Sequence, residues 1–133
     1  VVDWEDSGVL NLPLEAGWTD DDFSEAWYEK TNRRVTVCIG AKRTGGTIPI
    51  SGGTGGGFTF AVLPTGFRPR RRIYIQGVIN NGSAVLGNGQ LHPYPTIIGS
   101  ISTGGTIAFS EFATTIPNGK WLYAGSYSFT AAG

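Results

Sequence analysis

The sequence predicts an all-β chain, a jelly-roll-like antiparallel β-sandwich with at most a short helical turn near the N-terminus. Three observations carry that expectation. The 21 glycines and 7 prolines in 133 residues exceed what long helices tolerate, whereas short strands joined by tight turns use them. From Trp27 onward, run after run alternates apolar with polar residues, the two-residue period of a half-buried strand. Hydrophobic residues make up 40% of the chain, with 4 Trp, 5 Tyr and 7 Phe among them, enough for one core without metal or disulfide staples. A single domain is expected at this length, organised as an acidic lead over residues 1–26 packed on a sandwich over residues 27–133.

Within the lead, "GVLNLPL" (residues 8–14) reads as a short strand stopped by Pro13. "TDDDFSEAWYEK" (residues 19–30) carries a capping signature that supports a helical turn or two. "RRVTVCIGAK" then alternates, with Val35, Val37 and Ile39 on one face and Cys38 on the other. The loop "RTGGT" follows, and "IPISGGTGGG" reads as a short apolar piece and a glycine loop. "FTFAVL" places Phe58, Phe60 and Val62 on one face, and "RIYIQGVI" groups Ile73, Ile75 and Ile79 before the tight-turn signal "NNG". "TIIGSI", "STGG" and "TIAFSEF" form a hairpin with Ile97 and Ile101 facing one way. The last strand is "KWLYAGSYSF". Its Trp121, Tyr123, Tyr127 and Phe129 cannot share one face, because the Gly125–Ser126 step lies between the pairs, and Gly125 marks a bulge or a place where another backbone approaches closely. Six to eight strands result. Aromatics on both faces of the last one imply an outer face packed against a neighbouring subunit.

Charge is balanced overall and segregated along the chain. Nine of the ten acids fall in residues 1–29 and all ten bases lie from Lys30 onward, so the first part carries −9 and the rest, with Glu111, carries +9. Such parts attract each other, within a chain or between copies. A net charge of zero gives little drive toward nucleic acid. The run "RPRRR" (Arg68 to Arg72) therefore reads as a strand entry neutralised by the acidic lead of the same or a neighbouring chain. Alternation would spread its side chains, and Tyr74 alone is thin aromatic company for a nucleic-acid surface. No nucleic-acid partner is expected. No apolar run approaches a membrane span and no basic-then-apolar leader opens the chain, so membrane insertion is not expected either. The absence of methionine points to a piece of a longer or processed polypeptide.

Catalytic constellations are nearly absent, with one His, one Cys and only Glu111 among the acids beyond residue 29. Cys38 reads as a packed thiol in preference to a nucleophile, His92 being its only possible imidazole partner. Asp20, Asp21 and Asp22 could hold calcium, but the EF-hand spacing is missing and a solvated acidic loop or an arginine partner is preferred. "GGTGGG" (residues 52–57) lacks the Lys-Ser/Thr of a phosphate loop and leads into a strand. A Ser-His-acid triad has no nucleophile elbow, and nothing fixes a carboxylate pair for glycan hydrolysis. No catalytic residue, metal or cofactor is expected.

Binding chemistry is better supplied. "NNGSAVLGNGQLHPYPT" (residues 80–96) is a long connection rich in amides, and long loops in compact domains often carry function. Amides donate and accept at once, matching sugar hydroxyls, while aromatic rings cover the apolar face of a pyranose. Asn81, Asn88, Gln90, His92 and Tyr94 are the saccharide candidates, with Pro93 and Pro95 stiffening the tip. A surface loop closed by Asn turns, with Tyr94 folded onto the core, is the equal alternative. Trp18 beside Asp20 adds an aromatic wall with acceptors, whereas Trp27, Tyr28 and Trp121 read as strand or interface packing.

"LPTGFRP" (residues 63–69) resembles the Leu-Pro-x-Gly-aromatic-Arg-Pro turn of C-terminal head domains in tailed-bacteriophage fibre and baseplate receptor-binding proteins. The upstream "GWT" and "WYEKTNRRVTVCIGAK", and the downstream "ISTGGTIAF" and "KWLYAGSYSF", are similar to that family's strands in the same order, over residues 17–129. The resemblance implies a homotrimeric β-sandwich head at a fibre tip, on the virion, that attaches to a host cell-envelope saccharide such as a wall polysaccharide or a teichoic-acid-like polymer. It also implies other tail or baseplate proteins as partners through a missing N-terminal part, and it carries no shared catalytic set. The "NNGSAVLGNGQLHPYP" insertion and the Asp-rich "TDDDF" depart from the family pattern. A structural trimerisation cap is the alternative role, and a glycan depolymerase the least supported one.

Overall fold

The structure, a computed structural model, describes residues 6–20, 25–48, 57–80, 96–112 and 115–132. Among them run nine strands: β1 (Leu10–Asn11), β2 (Trp18–Thr19), β3 (Trp27–Thr31), β4 (Arg34–Arg43), β5 (Phe58–Val62), β6 (Ile73–Asn80), β7 (Thr96–Ile101), β8 (Thr106–Phe112) and β9 (Trp121–Thr130). They form one curled antiparallel sheet in the order β1-β3-β4-β9-β6-β7-β8-β5, with β2 paired to β4. The all-β, jelly-roll-like sandwich expected from the alternation is what the chain adopts.

One face of every long strand turns into a shared core. Val35, Val37 and Ile39 of β4, Ile75 and Ile79 of β6, and Ile97 and Ile101 of β7 are buried, and the intervening residues are more exposed. Side chains of this size each stabilise the fold by about 1.5–3 kcal/mol when withdrawn from water. At one edge of the core the rings are concentrated. Phe58 lies 5.7 Å from both Phe109 and Phe112, and Phe60 meets Phe109 edge-on at 6.0 Å.

The acidic lead closes the curl. Leu10 and Asn11 pair with Tyr28 and Trp27 of β3. Within four residues the same segment reaches β5, where Leu14 bridges Ala61 and the Glu15 N–H donates to the Phe60 carbonyl at 2.9 Å. Pro13, which has no N–H to give, accepts from the Val62 N–H at 3.4 Å. A segment that reads as a simple stopped strand is thus shared by the two free edges of the sheet, and an edge so covered cannot template pairing with another chain.

The helical turn expected over residues 19–30 would lie between Thr19, which ends β2, and Trp27, which begins β3, and residues 21–24 lie outside the described residues. The Asp20 carboxylate accepts from the Glu25 and Ala26 N–H groups at 2.7 and 2.8 Å. One expectation needs correction. Val62 does not share the face of Phe58 and Phe60. The β5–β8 register shifts between Thr59 and Ala61, so both Phe60 and Ala61 are buried and Val62 leaves the core face. A bulge inverts the alternation beyond it.

The bulge expected in the last strand is present. Ile39 pairs with Gly125 and Gly40 with Tyr123, which leaves Ala124 over, and Gly125 takes φ of 74°. That is the left-handed region where glycine carries no Cβ penalty. The "LPTGFRP" turn uses the same freedom. Gly66 has φ of 95° and the Phe67 N–H returns to the Pro64 carbonyl at 3.1 Å, a type II arrangement with glycine at its third position. The Phe67 ring meets Tyr28 edge-on at 4.9 Å, and the Lys30 ammonium sits 5.3 Å from its centre while donating to the Gly66 carbonyl at 2.8 Å. Arg68 folds back to donate from Nε to the Leu63 carbonyl at 2.9 Å.

Candidate functional site

Asn81, Asn88, Gln90, His92 and Tyr94 lie outside the described residues. What is described is the pair of strand ends that flank them: β6 ends at Asn80 and β7 begins at Thr96, which pairs with Val78. On its other side β6 is hydrogen-bonded to the start of β9, with Asn80 opposite Trp121 and Val78 opposite Tyr123.

Trp121 and Tyr123 stand together at that place. Their rings are parallel within 4° with centroids 5.7 Å apart, within the 4.5–7 Å range of favourable aromatic pairs. Leu122 between them is wholly buried, so the two rings occupy the outer face, where both stay half-exposed. The bulge at Gly125 puts them there. Without the extra residue, Trp121 and Tyr123 would share the face of Tyr127 and the buried Phe129. The result is an aromatic shelf beside Asn80, the last described residue before the amide-rich sequence 81–95; ring faces suit a sugar's C–H surface and amide side chains its hydroxyls.

Trp18 and Asp20 are placed differently, and the structure does not bring them to this shelf. Trp18 is 6% exposed. Its indole stacks on Phe58 at 5.3 Å, tilts against Phe60 at 5.0 Å and carries the Arg43 guanidinium 5.2 Å above it. That makes it the lid of the ring cluster. Asp20 is 1% exposed and holds the two N–H groups already described. Each leaves one buried polar atom, Trp18 Nε1 and Asp20 Oδ1, without a hydrogen-bond partner. Both side chains are occupied with structure and offer no surface to a sugar ring.

Cys38 belongs to the outer side of β4, between Trp27 of β3 and Ser126 of β9. Burial pushes its thiol pKa up, and the Glu25 and Asp20 carboxylates add to the rise. That is the opposite of what activates a cysteine nucleophile. Among the described residues no three His, Cys, Asp or Glu side chains gather as metal ligands would.

The Trp121–Tyr123 pair escaped the sequence reading, which took Trp121 for packing. The signal was available, because once Gly125 is read as a bulge, the alternation through Leu122 sends both rings outward. Compared with known proteins, the chain matches no family model and no curated protein.

Proposed function

We propose that this chain is the receptor-binding head of a tailed-bacteriophage fibre or baseplate protein, attaching the virion to a saccharide of the host cell envelope. The observation that carries the reading is the half-exposed Trp121–Tyr123 shelf at the base of the connection containing Asn81, Asn88, Gln90, His92 and Tyr94. The ordered resemblance of "LPTGFRP" and its neighbouring strands supports it. So does an outer face that exposes Tyr74 by 74% and Ile98 by 42%, apolar surface that sister copies in a homotrimer would cover. Weak single sites gain hold from several copies on one particle, and no catalysis is needed.

A glycan array probed with the chain, together with its mass in solution, tests the reading. The expected result is a trimer that retains a defined set of envelope saccharides and loses them on Trp121→Ala. Silence across the array from a correctly folded trimer would instead favour a structural cap. A monomer would remove the trimeric head.

A further inference from the structure

A second feature lies at the far end of β9. Beyond Asn80–Val78 the strands β6 and β9 part company, and Tyr127 spans the gap: its hydroxyl donates to the Gln76 carbonyl at 2.8 Å and accepts from the Gln76 N–H at 3.0 Å. Past Tyr127 the separation opens into a cleft of about 310 Å³ lined by Pro69, Arg70, Arg71, Ile73, Phe129 and Thr130. Its floor is apolar, because Phe129 is buried at 7% exposure and Pro69 is buried as well. Its rim is cationic.

The end of the chain draws a second pair of arginines to the same place. Pro69 bridges Ala131, the Ala132 N–H donates to the Arg68 carbonyl at 2.8 Å, and the Ala131 N–H donates to the Arg33 carbonyl at 2.7 Å. Arg34 pairs with Thr130, a residue of the cleft wall. Residues 130–132 therefore lie between the turn that carries Arg33 and Arg34 and the run that carries Arg70, Arg71 and Arg72. All five side chains are exposed, and among the described residues none of them forms an ion pair with a carboxylate. The charge pattern assigns neutralisation of the run to the acidic lead of the same or a neighbouring chain. In this chain the described part of the lead is committed to the edges of β3 and β5 instead.

Exposed guanidinium groups with no carboxylate partner among the described residues of the chain, beside an apolar floor, form a receptor for a group that is anionic on one side and apolar on the other. A guanidinium fork binds carboxylate and phosphate oxygens in pairs. We infer that this cleft binds the oxyanion of an anionic polysaccharide, a polymer whose sugar units carry phosphate or carboxylate, with the sugar's C–H face over Ile73 and Phe129. Nucleic acid fits less well, because among the described residues no row of exposed aromatic rings accompanies the arginines for bases to stack on. The inference rests on the saccharide-binding reading for the nature of the polymer, and the oxyanion contact is testable apart from it.

The test compares phosphorylated dextran, polygalacturonate, plain dextran and a single-stranded oligonucleotide as immobilised probes for the full chain, over a range of salt. Phosphorylated dextran or polygalacturonate should be retained and plain dextran not, with retention falling steeply as salt rises. Which of the two is held more tightly identifies the oxyanion. Arg70→Gln with Arg71→Gln should weaken retention at least tenfold. Lys42→Gln with Lys120→Gln, which removes the same charge from the other end of β9, should leave it within about twofold, the level expected of a distant screened charge. Arg70→Lys with Arg71→Lys should fall between, because charge is kept and the fork is lost. Equal retention by the Gln variants would overturn the inference, as would an oligonucleotide held more tightly than either anionic glycan. Neutral-sugar recognition lost on Trp121→Ala belongs to the shelf, so failure at one site leaves the other standing.

Discussion

The two ends of β9 carry opposite arrangements of the same kind of side chain. At Trp121 and Tyr123 the rings face outward and stack on each other, with Asn80 of β6 and Lys42 of β4 opposite Trp121. At Tyr127 and Phe129 the rings face inward, one hydrogen-bonding across a split in the sheet and the other forming the floor of an arginine-rimmed cleft. One residue, the unpaired Ala124 beside Gly125, separates the two regimes. A strand with strict alternation would present all four rings on one face. Insertion of a single residue gives one strand two surfaces, and with them two candidate sites of different chemistry.

Substitutions along β9 should therefore have unequal effects. The largest belongs to the buried end: Phe129→Ala should cost about 3–5 kcal/mol in chemical denaturation and enlarge the cleft. Gly125→Val comes next. Open space surrounds the position, so the cost is backbone strain at positive φ, about 1–2 kcal/mol. If it proves neutral, the bulge does not fix the parity of the rings. Tyr127→Phe should cost about 1 kcal/mol through the two Gln76 hydrogen bonds, with faster amide exchange at Gln76 than at Ile79. Trp121→Ala, at a half-exposed position, should cost under about 1 kcal/mol while abolishing neutral-sugar retention, the reverse of Phe129→Ala.

A smaller effect distinguishes the middle of the strand from both ends. Since the folded-state pKa of Cys38 is raised, the folded chain holds its thiol proton longer than the unfolded chain does. The resulting stability is complete below the ordinary thiol pKa of about 8.5 and is lost as pH rises from there through the folded value. Denaturation midpoints should fall with pH over that window, and the fall should be shallower in Cys38→Ser. Alkylation of the native thiol should require correspondingly higher pH.

Much of this fold was legible from alternation alone. Val35, Val37 and Ile39, the Ile97–Ile101 hairpin and the parity break at Gly125 follow from which residues repeat every second position and where glycine interrupts them. The failures share one cause, in that local patterns do not say what a segment will touch. Nothing in "FTFAVL" announces that its register with β8 slips between Thr59 and Ala61. Nor does "TDDDF" announce that Asp20 will be buried with its Oδ2 holding the Glu25 and Ala26 N–H groups ahead of β3. The arginine cleft was still less visible, since it joins Arg70 and Arg71 to Phe129 and Thr130, residues far apart in sequence that the Pro69–Ala131 bridge brings together.

The double pairing of the lead also has a mechanical meaning. A pull applied at residues 10–15 would be resisted by β3 on one side and β5 on the other, so the seam must break along both flanks before the curled sheet can open.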